Sequence, residues 1–388
     1  MTQMTQITFG SKELNRALAV VSKVINKRNS LPILENVLLT KDGDRFYLTG
    51  SNGEAWGRLR MPENSVGQLG GEFKPLCLPT EMLRMAVGTL PEQRLVCNID
   101  DNSMTMTMKY HAGEFVLPVL DPVDYPDVPV VEKPECEFTV TGGWLMSEIK
   151  GAKTCVSDNQ IRLQMANVAL DVDVEGVNAV GTNGRMLYKN RLQVGVGTGF
   201  MQGTPQVVLV HQSVFGVIAD AFNAKDEVKI SAMPTMVRVA SEDFTLTYRP
   251  VDGRYPNYNS VIPKDQPHHV TVDVRSLTTA LKRVAIFANE SSKLVTMEWG
   301  NGQLLLCSEN IDFSQAATER VTPAGEDVQM KEGFKIGVNG SELLELLGCV
   351  KTENAVMEFS DPSRAITIRE EDANSLMTLL IMPMLIKE

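Results

Sequence analysis

Apolar residues return along this chain at two different periods. Between 11 and 28, Leu14, Leu18, Val21 and Ile25 fall three and four apart, the spacing that places side chains on one face of a helix. Near 105 the period drops to two: Met104, Met106 and Met108 alternate with Thr105 and Thr107, giving a strand one apolar and one polar face. Core packing is the expected role of these methionines. Followed along the chain, the periods predict helices over 11–28, 79–90, 142–156, 212–222, 274–289 and 341–349. Ser11 stands where an N-cap is expected. Pro79 suits a first helical turn, and Leu31-Pro32-Ile33-Leu34 ends the first helix, because the residue before proline avoids helical dihedrals. Strands are predicted at 36–40, 45–49, 56–60, 94–100, 103–110 and 114–117, then 164–170, 177–181, 227–232, 235–240 and 243–249. The last set is 293–298, 303–307, 354–359, 364–369 and 376–382.

The order helix, strands, helix, strands thus occurs three times. Thr182-Asn183-Gly184-Arg185-Met186-Leu187 follows a strand, as Ser51-Asn52-Gly53-Glu54 does, and Ser308-Glu309-Asn310-Ile311 is read as a third counterpart. Asn-Gly turns alone are common, since both residues tolerate positive φ. However, Tyr125-Pro126 and Tyr255-Pro256 repeat at nearly the same interval inside two proline-rich linkers. The expected fold is α+β: three tandem similar domains, each two helices packed on antiparallel sheet. The expected boundaries are 1–132, 133–265 and 266–388.

Composition narrows the class without naming a function. The chain has 388 residues, 43% hydrophobic and 22% charged, as in ordinary globular protein. No run of 18 apolar residues suggests a spanning helix. The N-terminus lacks the basic start and apolar core of a secretory signal. The six cysteines are scattered, with no Cys-x-x-Cys pair, so reduced thiols and a cytoplasmic location are expected. Net charge is −11, against nonspecific nucleic-acid binding by the whole surface.

The positive charge is unevenly placed. The first helix of each repeat is basic: Lys12, Arg16, Lys23, Lys27 and Arg28 against Glu13; Lys150 and Lys153 against Glu148; Arg275, Lys282 and Arg283 against Glu290. The second helices are neutral or acidic, with Glu81 cancelled by Arg84, and Asp220, Glu342 and Glu345 unopposed. If the repeats closed into a ring, the first helices could line it and attract phosphates without reading sequence.

Catalytic chemistry finds no support. There is no Gly-rich phosphate loop, nucleophile elbow or His-Glu-x-x-His. Asp171, Asp173 and Glu175 alternate like a metal cluster but approach a Glu-Gly turn, where exposed carboxylates are expected. His268-His269 have no third ligand nearby in sequence. No cofactor and no metal are expected.

Over its whole length the chain resembles the β subunit of bacterial DNA polymerase III, the sliding clamp. The most specific segments are Leu31-Pro32-Ile33-Leu34, Thr182-Asn183-Gly184-Arg185-Met186-Leu187, Val251-Asp252-Gly253-Arg254-Tyr255-Pro256 and Ile381-Met382-Pro383-Met384. The resemblance implies a non-catalytic processivity factor: two chains joined head to tail in a ring around duplex DNA, tethering the replicative polymerase. A three-repeat interaction scaffold without DNA is the alternative.

The resemblance also implies three sites. A pocket for short linear motifs of polymerases, the clamp loader, repair polymerases and mismatch-repair proteins would be lined by Arg162, Met165, Thr182, Gly184, Arg185, Met186 and Leu187. Pro256, Val261, Leu380, Met382, Pro383 and Met384 would complete it. An apolar cleft with a polar edge suits the leucine and phenylalanine of an extended peptide. Arg28 and Asn159 match family DNA contacts, and Lys12, Arg16, Lys23, Lys150, Lys153, Lys282 and Arg283 join them as DNA-facing candidates. Phe115 and Leu117 would meet Ile286 and Phe287 of a second copy. Departures from the family pattern are Gln212 and Ser213 at a usual basic pair, Ser260 at the pocket edge, and Leu385 after Met-Pro-Met.

Overall fold

A computed structural model describes residues 5–26, 31–157, 162–193, 202–203, 206–310 and 313–386. Its α-helices are α1 (Ser11–Val21), α2 (Thr80–Gly88), α3 (Gly142–Ala152), α4 (Phe215–Ala221), α5 (Val274–Ala285) and α6 (Gly340–Leu347). The first five lie inside predicted segments, α6 begins one residue before its predicted start at 341, and each is shorter than predicted. Beyond Val21 the backbone bonds contract to i→i−3, from Lys23 to Val20 and from Val24 to Val21. This tighter winding keeps Val24 buried without continuing the α-helix. Residues 153–155 and 212–214 are likewise 3-10 turns. Ser11 is not a cap: Gly10 holds that position, and the buried Ser11 hydroxyl instead donates to the Pro91 carbonyl at 2.9 Å. Side-chain caps are Thr141 on α3, Asp273 on α5 and Asn339 on α6.

A strand leads directly into the first helix of each repeat: Thr5–Gly10, Cys136–Thr141 and His268–Asp273. The predicted strands include none of the three, although Ile7 and Phe9 alternate and are fully buried. Met104 stands outside the strand Thr105–Tyr110, at φ +49°, and is exposed, while Met106 and Met108 are core residues.

The chain forms two compact units, residues 1–147 with 195–250, and 148–194 with 251–388. In the first, a five-stranded antiparallel sheet runs Val66–Gly70, Thr5–Gly10, Arg94–Asp100, Thr105–Tyr110, Gly113–Pro118. A nine-stranded sheet joins the first repeat to the second by pairing Ala55–Arg60 with Phe244–Tyr248. In the second unit one sheet carries Asn167–Asp173, Gly176–Thr182, Met186–Gln193, Thr378–Ile381, Ile366–Glu370, Asn354–Phe359 and His268–Asp273 in that order. A four-stranded sheet runs Gln315–Val321, Gln303–Asn310, Leu294–Gly300, Lys335–Asn339. The helices α1 and α2 pack together in the first unit, α5 and α6 in the second.

Repetition extends to single hydrogen bonds. Tyr125 donates to the Thr49 carbonyl at 3.1 Å, and Tyr255 to the Val180 carbonyl at 3.3 Å. The Asn36 amide donates to carbonyls of the 3-10 turn Pro32–Glu35, and the Asn167 amide does so for Leu163–Ala166. Asn52 accepts from the Glu54 and Ala55 N–H groups, as Asn183 does from Arg185 and Met186, around glycines at φ +88° and +86°. Gly50 and Gly181 lie under the last carbonyls of α1 and α3 (Val21 and Ala152), where an added Cβ would come within 2.4 and 2.0 Å.

The third counterpart differs from the sequence reading. Ser308, Glu309 and Asn310 are not a turn but continue a strand paired to Gln315–Ala317. Ser308 instead answers to Gly50 and Gly181: its hydroxyl donates to the Val284 carbonyl, near the end of α5, at 2.6 Å. Where the first two repeats bring backbone against backbone, the third inserts a hydroxyl.

Candidate partner pocket and DNA-facing helices

The strand Met186–Gln193 pairs with Thr378–Ile381, setting Met186 opposite Ile381 and Leu187 opposite Leu380. Beyond that ladder the Met382 N–H donates to the Arg185 carbonyl at 2.8 Å, and the Met384 N–H to the Gly337 carbonyl at 2.8 Å. The chain tail is therefore tied on one side to the Asn183-Gly184 turn and on the other to the strand entering α6. The Thr182 hydroxyl donates to the Met186 carbonyl and accepts from Gly184 N–H, closing the turn. Met165 and Arg162 approach Gly184, within 3.6 and 4.0 Å of where a Cβ would stand.

These side chains divide by exposure. Met165, Thr182, Met186, Leu187 and Leu380 are buried and form a floor. Arg162, Gly184, Arg185, Val261 and Met382 are exposed, and Pro256, Pro383 and Met384 are half-buried. Ser260 binds its own turn through the Asn257 carbonyl, and Leu385 is 92% exposed. Sequence reasoning missed Glu342. It sits in the first turn of α6 and accepts from the Arg185 guanidinium at 3.1 Å. Burial, the largest influence, raises its carboxyl above the ordinary range, with Arg185 opposing. Its spacing in the sequence marks only a common first-turn acid.

The basic residues are less free than the sequence suggests. Arg28 and Asn159 lie outside the described residues. Lys23 falls beyond α1, pairs with Asp220 of α4 and donates to the Gly216 carbonyl. Lys12 pairs with Glu92 at 3.4 Å, Arg16 donates to Asn223, and Arg283 binds Glu319. The excess on first helices is thus partly neutralised by local acids. Lys150, Lys153 and Lys282 are exposed and have no ion-pair partner among the described residues.

On the same helix as Lys150, Glu148 lies on the buried face of α3. It accepts from the Tyr188 hydroxyl at 2.7 Å and the Asn190 amide at 3.1 Å, with Lys351 at 3.8 Å. Burial raises the Glu148 carboxyl above its ordinary value, while Tyr188, Lys351 and Asn190 pull it down. The folded state therefore holds the proton more tightly than the unfolded chain. Glu148 is best tolerated below about pH 4.3, the unfolded value. Its contribution is lost as pH rises from there through the raised folded value. Thermal melts of Glu148→Gln against the parent should accordingly diverge in favour of the variant across that window. A constant difference from pH 4 to 7 would show that the carboxylate ionises without penalty.

Phe115 and Leu117 turn inward. Leu117 belongs to the first unit's core, and Phe115 packs partly against that core and stacks on Tyr110 at 4.8 Å. What the strand Gly113–Pro118 shows outward is Glu114, Val116 and, among the described residues, an unpaired sheet edge. The strand Gln315–Val321 is the matching edge of the four-stranded sheet, and Ile286 and Phe287 after α5 are exposed.

The acidic residues weighed for metal are otherwise engaged. Asp173 holds Arg191 through both oxygens at 2.7 and 3.0 Å, and Asp171 accepts from Tyr258 at 2.5 Å. His269 meets Asp327. Among the described residues, no group of three ligands is suited to a metal. Burial pushes the Cys97 thiol up to about 12 and Cys136 up to about 11, so these cysteines are inert packing groups. No described helix is long and apolar enough to cross a membrane.

Repeated strand-helix-strand units with a tail folded onto the middle repeat define a sliding-clamp architecture. The clamp of Pseudomonas aeruginosa solved with griselimycin superposes at TM-score 0.88 with 24% identity, over 98% of this chain and all of that one. The Bacillus subtilis clamp gives 0.88 at 18% identity, over 99% of this chain and all of that one. The curated beta sliding clamp of Pseudomonas aeruginosa is 26% identical over 381 residues, 97% of this chain and 99% of that protein. Residues 5–129 match the DNA polymerase III beta subunit N-terminal domain, and residues 259–385 match its C-terminal domain. The chain belongs to the DNA polymerase III beta subunit family, the non-catalytic sliding clamps of DNA replication.

Proposed function

We propose that two copies of this chain, each of three domains with boundaries near 132 and 265, close head to tail around duplex DNA in the cytoplasm. There they hold the replicative polymerase at its template. The observation that carries this reading is end-to-end similarity to sliding clamps, with both terminal domain models matched in place. A ring holds DNA by enclosure, so binding needs a cationic lining of modest strength and no base contacts. Lys150, Lys153 and Lys282 suit that lining, and Arg28 and Asn159 join it through the family pattern. The open edges Gly113–Pro118 and Gln315–Val321 suit a joint between copies, which also removes two exposed sheet edges.

Partners would dock on the tail pocket. A floor of Met165, Leu187 and Leu380 under exposed Val261 and Met382 offers apolar surface to leucine and phenylalanine, with Arg162 and Arg185 at its rim. Clamp assembled by a clamp loader and ATP on nicked circular DNA should be retained through gel filtration and lost when the circle is cut. Equal retention on both forms would overturn the ring. Met382→Ala with Met384→Ala should weaken a leucine- and phenylalanine-anchored peptide about tenfold or more in fluorescence anisotropy, leaving retention on circles intact. Unchanged affinity would move the pocket elsewhere.

A further inference from the structure

We propose that Glu342 sets the motif preference of the tail pocket, favouring partner segments that bring a cationic or amide N–H donor over segments that bring a carboxylate. The inference rests on the pocket proposed above and names the chemistry of its partner. Arg185, the tail and α6 meet at one point. The Arg185 carbonyl accepts from Met382, the Met384 N–H bonds Gly337, and the strand Lys335–Asn339 runs straight into the turn that carries Glu342. Asn339 fixes that turn by accepting from the Glu342 N–H at 3.2 Å. Oε1 of Glu342 takes Arg185 at 3.1 Å, whereas Oε2 is closed to solvent and has no partner among the described residues.

A buried carboxylate oxygen without a donor is unfavourable, and a donor that reaches it forms a charge-assisted bond. Arg185 does not fill that role: its side chain is 53% exposed, and an ion pair so wetted is easily exchanged. An incoming lysine, arginine or glutamine can displace the exposed Arg185 from Oε1 and, once Arg185 has swung aside, reach Oε2. An incoming carboxylate would face Glu342 and, one turn on, Glu345. Exposed Met382 and half-buried Met384 supply the apolar grip, which accepts any suitable anchor; Glu342 supplies the choice among anchored segments, by repelling the wrong one as well as attracting the right one.

The test uses the full chain and labelled pentapeptides with fixed leucine and phenylalanine anchors. Each remaining position carries Lys, Gln or Glu in turn, and binding is read by anisotropy. At one position Lys should bind about tenfold more tightly than Glu, with Gln between. In Glu342→Gln, which keeps the side-chain shape, that ratio should fall to about twofold while the Gln peptide keeps its affinity. Parental discrimination persisting in Glu342→Gln overturns the assignment to Glu342 and leaves the pocket standing. Equal affinity of Lys and Glu peptides at every position in the parent does the same. Peptide binding that survives Met382→Ala with Met384→Ala, or no binding by any peptide, overturns the pocket and this inference with it.

Discussion

Replacing Gly181 with valine should lower the melting temperature of the second unit by about 6–12 °C, from a destabilisation of about 3 kcal/mol. A Cβ there would stand 2.0 Å from the Ala152 carbonyl oxygen and 2.8 Å from its carbon. Both are backbone atoms at the end of α3, so no rotamer change relieves the clash. The helix must lift from strand Gly176–Thr182 and lose packing along its length. Gly50→Val should act similarly on the first unit through Val21. Gly184→Ala is the useful contrast. Its Cβ meets nothing closer than Met165 at 3.6 Å, and only the φ of +86° opposes it, for about 1 kcal/mol. The third repeat shows the alternative solution, since Ser308 fits by donating to Val284. Differential scanning calorimetry decides: a Gly181→Val transition within about 2 °C of the parent would mean that α3 shifts without resistance.

Ile286→Asp should convert a dimer into monomers at concentrations where the parent remains paired. Ile286 is 75% exposed at the end of α5, so the change leaves the folded chain largely undisturbed. In the proposed joint it would bury a carboxylate without a partner. Loss of a central apolar anchor alone is worth about 2 kcal/mol, or roughly thirtyfold in dissociation constant. Phe115→Asp is less clean, because Phe115 also packs on the core of its own unit and on Tyr110. Sedimentation equilibrium should give the single-chain mass of 42.7 kDa for Ile286→Asp. Dimers of the variant persisting at nanomolar concentration would remove Ile286 from the joint.

Much of the architecture was legible because periodicity is local. All six helical segments contain a helix, and the strands 94–100 and 354–359 begin and end where alternation places them. Helix ends are not legible in the pattern, since α1 stops at Val21 while its apolar face continues through a tighter turn to Val24. The equivalence of Ser308 to Gly181 is spatial and leaves no trace in the sequence: a glycine that admits a carbonyl and a serine that binds one share no pattern. Of the pocket, the tail motif and the Asn-Gly turn were visible, but the acid between them was not. Glu342 is distant in sequence from Arg185, and only the strand pairing that folds the tail back brings α6 to it.

By itself, the sequence determined the α+β repeat, the family and the uneven placement of positive charge, because each is written in spacing and residue type along the chain. The tertiary structure decided which charges are spent on neighbours, as Lys23 is on Asp220 and Arg283 on Glu319. It also decided which apolar side chains face outward and which acid is buried. Ion pairing and desolvation depend on distance through space, and no period along the chain encodes that distance.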